Sequence, residues 1–160
     1  MVKMLRVDER LLHGQVAVTW VNDVAPDAIL VANDEIMQNE MGKLALKMAK
    51  PASVKLAIKD MDGAVELLKD SRSKGVAIFI IVRTVKDALY LVEKTGTEIN
   101  HVNIGGIRKK EGGKSIAPAV FVTDDDIKII RQLSELVEKV EFKMVPSDSG
   151  KSAKSLLKEV

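Results

Sequence analysis

The sequence predicts an α/β fold: a doubly wound, mainly parallel sheet of about seven strands with helices on both faces. Three observations predict it. Short apolar runs alternate with amphipathic ones along the chain, as βαβ units require. One run, "GVAIFIIV", is apolar throughout, which marks a central strand covered on both sides. Aromatics make up only 3% of the 160 residues, so the core falls to Val, Ile, Leu, Ala and Met.

The elements follow in order. "VKMLRV" (2–7) reads as the first strand, and 14–24 as a helix with apolar residues at Val16, Val18, Trp20 and Val21. "DAILVAND" (27–34) is a strand bounded by Pro26 and the polar pair Asn33-Asp34. A helix over 37–50 stops before Pro51. "SVKLAI" (53–58) is the third strand, 61–71 a helix, and 75–82 the apolar fourth strand. Thr84 suits the N-cap of the next helix and Gly96 its end. "EINHVNIGG" (98–106) is the fifth strand, and "RKKEGGKSIAPAVFVT" a loop leading to a sixth. Thr123 followed by three aspartates caps a helix through Glu138. "VEFKMVP" is a short last strand, and 150–160 a terminal helix. No linker or fixed-period repeat interrupts the pattern, so residues 1–160 are expected to form one domain.

Composition excludes several functions. The chain has no cysteine, which rules out disulfides, thiolate zinc sites and a cysteine nucleophile. The start shows no secretory signal, and no apolar run approaches the ~20 residues of a membrane helix. A cytoplasmic location is the simple expectation. Net charge is +2, with lysines interspersed among acids and no basic stripe with stacking aromatics, so no nucleic-acid partner is expected.

Doubly wound sheets bind ligands beyond the carboxyl ends of their strands. The segments to search are therefore 8–15, 33–34, 83–84 and 103–106. Thr84 is carried from this set as a candidate phosphate contact. Other candidates have plainer explanations. "GKS" occurs at 113–115 and 150–152, but the P-loop glycine five residues earlier is replaced by Arg108 and by Val145. "NIGGIRKKEGG" is either a surface loop or a place where Gly105-Gly106 lets backbone approach an active-site loop. His101 lies among apolar strand residues and reads as structural. Two histidines 88 residues apart with no clustered carboxylates make no case for a metal, and no cofactor is expected.

His13 stands apart. It follows a strand, begins a helix and precedes Gly14. A helix start presents unpaired N–H groups suited to an anion, phosphate above all. Gly14 would permit a tight turn and a close approach of the anion. Arg10 could hold two oxygens of that anion, and Gln15 could donate from the first helical turn. Asp8 could fix the imidazole tautomer or hold Arg10. An imidazole among anion donors suits nucleophilic phosphoryl transfer, which asks mainly for positioning and stabilised oxygens.

"RVDERLLHGQV" (6–16) resembles the signature D-x-R-L-[IL]-H-G-Q of IIB subunits in mannose/fructose/sorbose-family sugar phosphotransferase systems. The resemblance continues through "ILVANDE", "MAKPASVKLAI", "VNIGGI" and "FVTDDDI". It implies an open, mainly parallel seven-stranded sheet. It implies a phosphocarrier whose histidine, here His13 through Nδ1, takes a phosphoryl group from phosphorylated IIA and passes it to a sugar as membrane components IIC and IID import it. Asp8, Arg10, Gly14 and Gln15 match the motif directly, whereas the C-terminal 146–160 carries no assigned role. A transient presence at the inner membrane face is implied with the IIC/IID partnership. The sugar and the oligomeric state are not legible.

Two other readings remain open at this point. One is a regulatory α/β domain that binds a phosphorylated ligand without covalent chemistry; the other is a metal-independent phosphoester hydrolase. Docking partners must reach His13, so an apolar rim is expected around it, with Leu11, Leu12 and Met37 as candidates for rim or core.

Overall fold

The computed structural model describes residues 1–14 and 16–158, the side chain of residue 97 excepted. A seven-stranded sheet forms its centre, in the order β3-β2-β4-β1-β5-β8-β9. Its strands are β1 (Val2–Asp8), β2 (Ala28–Ala32), β3 (Lys55–Lys59), β4 (Ile78–Val82), β5 (His101–Gly106), β8 (Lys139–Phe142) and β9 (Lys151–Ser152). All neighbours pair in parallel except β9, which runs antiparallel to β8 at one edge. Between β5 and β8 the chain forms a separate antiparallel hairpin, β6 (Lys114–Ala117) and β7 (Val120–Val122).

The expected number of strands is present, but two are placed differently. "VFVT" pairs with "KSIA" in the hairpin and meets Ile107, just past β5, through a bridge at Val120, so four residues of the predicted loop are themselves strand. The seventh sheet strand comes from 151–152, inside the predicted terminal helix, which is reduced to α6 (Ala153–Leu157). Two residues carry no alternation to read, so this strand has no sequence signal.

The helices lie on both faces. α3 (Met61–Lys69), α4 (Val85–Thr95), α5 (Asp124–Leu136) and α6 bury their apolar sides on Leu5, Val7, Leu30, Ile80, Ile104 and Phe142. The opposite face, from Met4, Ile29, Val31, Phe79 and Ile81, packs on Leu11, Leu12, Trp20 and Val21 and on Leu46 of α2 (Glu40–Ala49). Every residue of β4 is buried, as its apolar run requires.

Caps set the helix starts. Thr84 Oγ1 accepts from Asp87 N at 3.0 Å. Thr123 and Asp126 exchange side-chain-to-backbone bonds in a capping box, worth about 1 kcal/mol for the Thr cap. α2 starts later than predicted, because Glu35–Gln38 form a 3₁₀ turn and Asn39 accepts from Gly42 N. The helix after β1 begins as a π-helical segment, Val16–Trp20, and continues into α1 (Val21–Val24). Such wide turns recur at functional sites. Among the described residues no helix is long and apolar enough to cross a membrane.

Candidate functional site

The chain leaves β1 towards β2 on one side and leaves β5 towards β8 on the other. The two strands are neighbours, so a crevice opens beyond their carboxyl ends. A cavity of about 150 Å³ occupies it, lined among others by Arg6, Asp8, Arg10, His13, Gly106 and Arg108.

The loop from Glu9 to His13 is built by local bonds. Asp8 Oδ1 accepts from Arg10 N at 3.0 Å and Asp8 O accepts from Leu11 N at 2.9 Å, turning the chain back at once. The residue that takes the left-handed conformation is Leu11, with φ 54°, not Gly14. The tight turn expected of Gly14 is therefore made by Leu11, whose side chain is locked in the core. A Cβ at Gly14 would meet nothing within 4 Å, so the space beside it is open. His13 O accepts from Ala17 N at 2.8 Å, which joins the loop to the helix. Gln15 lies outside the described residues.

Two side chains hold the imidazole. His13 Nε2 lies 3.2 Å from Asp8 Oδ2, and His13 Nδ1 lies 2.8 Å from Arg10 Nη2. A guanidinium has no lone pair to offer, so Nδ1 accepts from Arg10 and the ring proton sits on Nε2, directed at Asp8. The ring is 16% exposed and the Asp8 side chain 6%. Nδ1 is thus a lone pair facing a cation at the rim of the crevice.

Arg6, which sequence reasoning left as an ordinary strand residue, lies behind Asp8 with its side chain 3% exposed. Its Nη2 donates to Asp8 Oδ2 and to Met144 O, each at 3.2 Å. Its Nη1 donates to Asn103 Oδ1 and to Lys143 O. The guanidinium lies 5.0 Å from the Trp20 ring centroid, a cation–π distance. Burial lowers its pKa, against the charge and hydrogen bond of Asp8, yet an arginine stays protonated.

The two glycines at the end of β5 explain the space. A Cβ at Gly105 would run into the guanidinium carbon and both terminal nitrogens of Arg6. A Cβ at Gly106 would press on Asp8 Oδ1 at 3.3 Å. The pair makes room for the charged network, and the loop also approaches it, since Glu9 N donates to Gly106 O at 3.0 Å. The signal was available: a charged residue with strand spacing two before Asp8, opposite a Gly-Gly on another strand.

The other candidates fall elsewhere. Thr84 is absent from the lining of the His13 cavity; it lines a separate one with Glu9, Lys110 and Asp126, and its hydroxyl caps α4. Leu11 and Leu12 are buried core, and Met37 packs half-buried against it. The exposed apolar residue nearest in sequence is Val18, 61% exposed in the π-helical segment. His101 Nε2 pairs with Glu141 Oε1 at 2.9 Å on β8. Glu141 sits below the ordinary carboxylate range; burial pushes it up, but His101 and Lys139 together outweigh that. Among the described residues no group of three or more His, Asp or Glu side chains is disposed to hold a metal ion.

Comparison with known proteins places the chain in a family. Residues 2–160 match the family model for the sorbose-subfamily IIB component of the phosphotransferase system. The chain is 31% identical over 159 residues to the fructose-specific EIIB component of Bacillus subtilis, covering 99% of this chain and 97% of that protein. The IIB domain of the sorbose permease from Klebsiella pneumoniae superposes with a TM-score of 0.93 at 27% identity, over 100% of this chain and 98% of that one. The mannose-specific EIIAB component of Escherichia coli is 26% identical over 159 residues, which span 49% of its length.

Proposed function

This chain belongs to the sorbose subfamily of phosphotransferase-system IIB components, and from that membership we propose that His13 Nδ1 is the atom that carries the phosphoryl group. The group arrives from the phosphohistidine of IIA and leaves for a sugar during uptake through IIC and IID. As the donor's P–N bond breaks, its nitrogen recovers the electron pair, and the Nδ1 lone pair forms the new bond. No proton need move first, because the ring proton already sits on Nε2, towards Asp8. The ring gains positive character on phosphorylation, and the Asp8 carboxylate lies where it offsets that charge.

The single observation carrying this reading is the Arg10 Nη2 contact to Nδ1 at 2.8 Å. It fixes which ring nitrogen has the free pair, and it places a planar fork where the incoming oxygens must lie. On phosphorylation Arg10 slides from the nitrogen to two of those oxygens, with Gly14 leaving the space open beside them. Gln15, outside the described residues, is proposed as a further phosphate donor on the strength of the motif alone. IIA partnership is general to IIB components, and in the E. coli mannose protein the two are named together as EIIAB. We place this chain in the cytoplasm, meeting IIC and IID at the inner face of the membrane. The non-covalent ligand-binding reading is not favoured by relatives that are phosphotransferase components.

The test is phosphoryl acceptance from phosphorylated IIA, read by mass spectrometry as acid-labile, base-stable phosphate on the peptide containing His13. Nuclear magnetic resonance of the ring should place it on Nδ1. Phosphate on any other residue, or none with a competent donor, defeats the reading.

A further inference from the structure

We infer that Arg6 is a positioning residue for the reaction: through the shared Asp8 oxygen it sets the charge and orientation that the His13 ring experiences. The inference rests on the proposed role of His13. Asp8 Oδ2 is held by two groups at once, Arg6 Nη2 and His13 Nε2, both at 3.2 Å. A carboxylate with a buried guanidinium behind it presents a balanced pair to the imidazole, not a bare anion. A bare anion would favour the doubly protonated ring, in which Nδ1 has no lone pair to attack phosphorus.

The geometry shows Arg6 to be more than packing. It is a buried charge, costly unless every donor is directed. Four acceptors are spent on its two terminal nitrogens, drawn from β1, β5 and the segment after β8. Only Nε lacks a partner. Gly105 leaves the recess, and Trp20 closes the other side. An apolar residue at this position, like Met4 two places earlier, would fill the same volume without that outlay. The charged groups around His13 are Asp8 at the end of β1, Arg10 on its own loop, Arg108 across the crevice and paired with Glu9 of that loop, and Arg6 behind Asp8. Arg6 is the one that reaches the ring through a shared carboxylate oxygen.

The experiment follows the His13 ring nitrogens against pH in ¹⁵N-labelled wild type, Arg6→Met and Arg6→Lys. In Arg6→Met the ring titration moves to higher pH, and the acid limb of phosphoryl acceptance moves with it. Acceptance at neutral pH falls by roughly tenfold to 100-fold, the order that misplacing a reacting group by about an ångström costs. Arg6→Lys recovers part of the shift, since it restores the charge without the fork. A folded Arg6→Met with an unmoved ring titration and rate profile overturns the inference, whatever it does to thermal stability. If Arg6→Met does not fold, the wild type decides: the Arg6 Nη resonances must respond to pH with the midpoint of the His13 ring, and resonances blind to it overturn the coupling. The ring titration needs no phosphoryl donor. A coupled titration with no phosphate reaching His13 would therefore sink the functional reading and leave the coupling standing.

Discussion

The molecule contains two histidine–carboxylate pairs, and only one of them has its other ring nitrogen held by a guanidinium in a crevice. His13 Nε2 faces Asp8 at 3.2 Å and His101 Nε2 faces Glu141 at 2.9 Å. By that contact alone the second pair is the tighter. The difference lies on the far side of each carboxylate and of each ring. Asp8 is backed by the buried Arg6, and the His13 ring offers Nδ1 to Arg10 in a crevice beyond the strand ends. Glu141 is backed by Lys139, more than half exposed, and His101 opens β5 at its amino end, the end opposite the crevice beyond the carboxyl ends of the strands. A histidine paired with a carboxylate is thus an ordinary structural motif. A free nitrogen at a place where an anion can be held is what the proposed role of phosphoryl acceptor asks for.

Exchanging the two roles is the strongest way to break the comparison. His13→Gln is expected to abolish phosphoryl acceptance altogether, while His101→Gln retains it; label persisting in the first or vanishing from a folded second would reverse the assignment. Next in size is Arg10→Ala. Arg10 takes no part in the buried network by its side chain, so the protein should unfold at the same urea concentration as wild type. Transfer should slow by about 10²–10³-fold, near 3 kcal/mol, as for loss of one preorganised donor. Stopped-flow transfer from phosphorylated IIA measures it, and unchanged kinetics would remove Arg10 from the site.

Gly105→Ala tests the support behind Asp8. Its Cβ collides with the Arg6 guanidinium, so denaturant unfolding should show a loss of about 1–3 kcal/mol, the usual cost of overpacking. A variant as stable as wild type would mean that the recess is not needed. The smallest effect belongs to the second pair. Because Glu141 is depressed below its ordinary value of 4.5, its contribution to stability is fully present above about pH 4.5 and is lost as pH falls through the folded value. His101→Gln should therefore weaken the fall in stability on acidification while costing about 1 kcal/mol at neutral pH. Thermal melts between pH 3 and pH 7 compare the two slopes, and parallel curves would contradict the pairing.

Much of this was legible from residue order. Strands β2, β4 and β5 lie within the predicted segments, and β1 and β3 each run one residue past theirs, because buried strands of a parallel sheet are written as continuous apolar runs. The caps at Thr84 and Thr123 stood where hydroxyls precede acidic first turns. Asp8, Arg10 and His13 fall within hydrogen-bonding reach of one another because six consecutive residues, from the end of β1 through the loop, carry them. Thr84 was misjudged for a related reason: lying beyond a strand end is shared by several loops, and only the sheet order says which of them meet. Leu11 and Leu12 could be rim or core until the helix that follows them was seen to fold back onto Met4 and Phe79.

By itself, then, the sequence determined what is local: the alternation of strands and helices, the helix caps, and the loop that brings a carboxylate, a guanidinium and an imidazole together. Tertiary structure alone decided what depends on distant segments meeting. It made β9 an edge strand and the hairpin a separate sheet. It carried Asn103, Gly105 and the carbonyls of Lys143 and Met144 to the side chain of Arg6. The physical reason is that periodicity and capping act within a few residues, whereas the environment of a buried charge is assembled from strands about a hundred residues apart, and no local pattern records it.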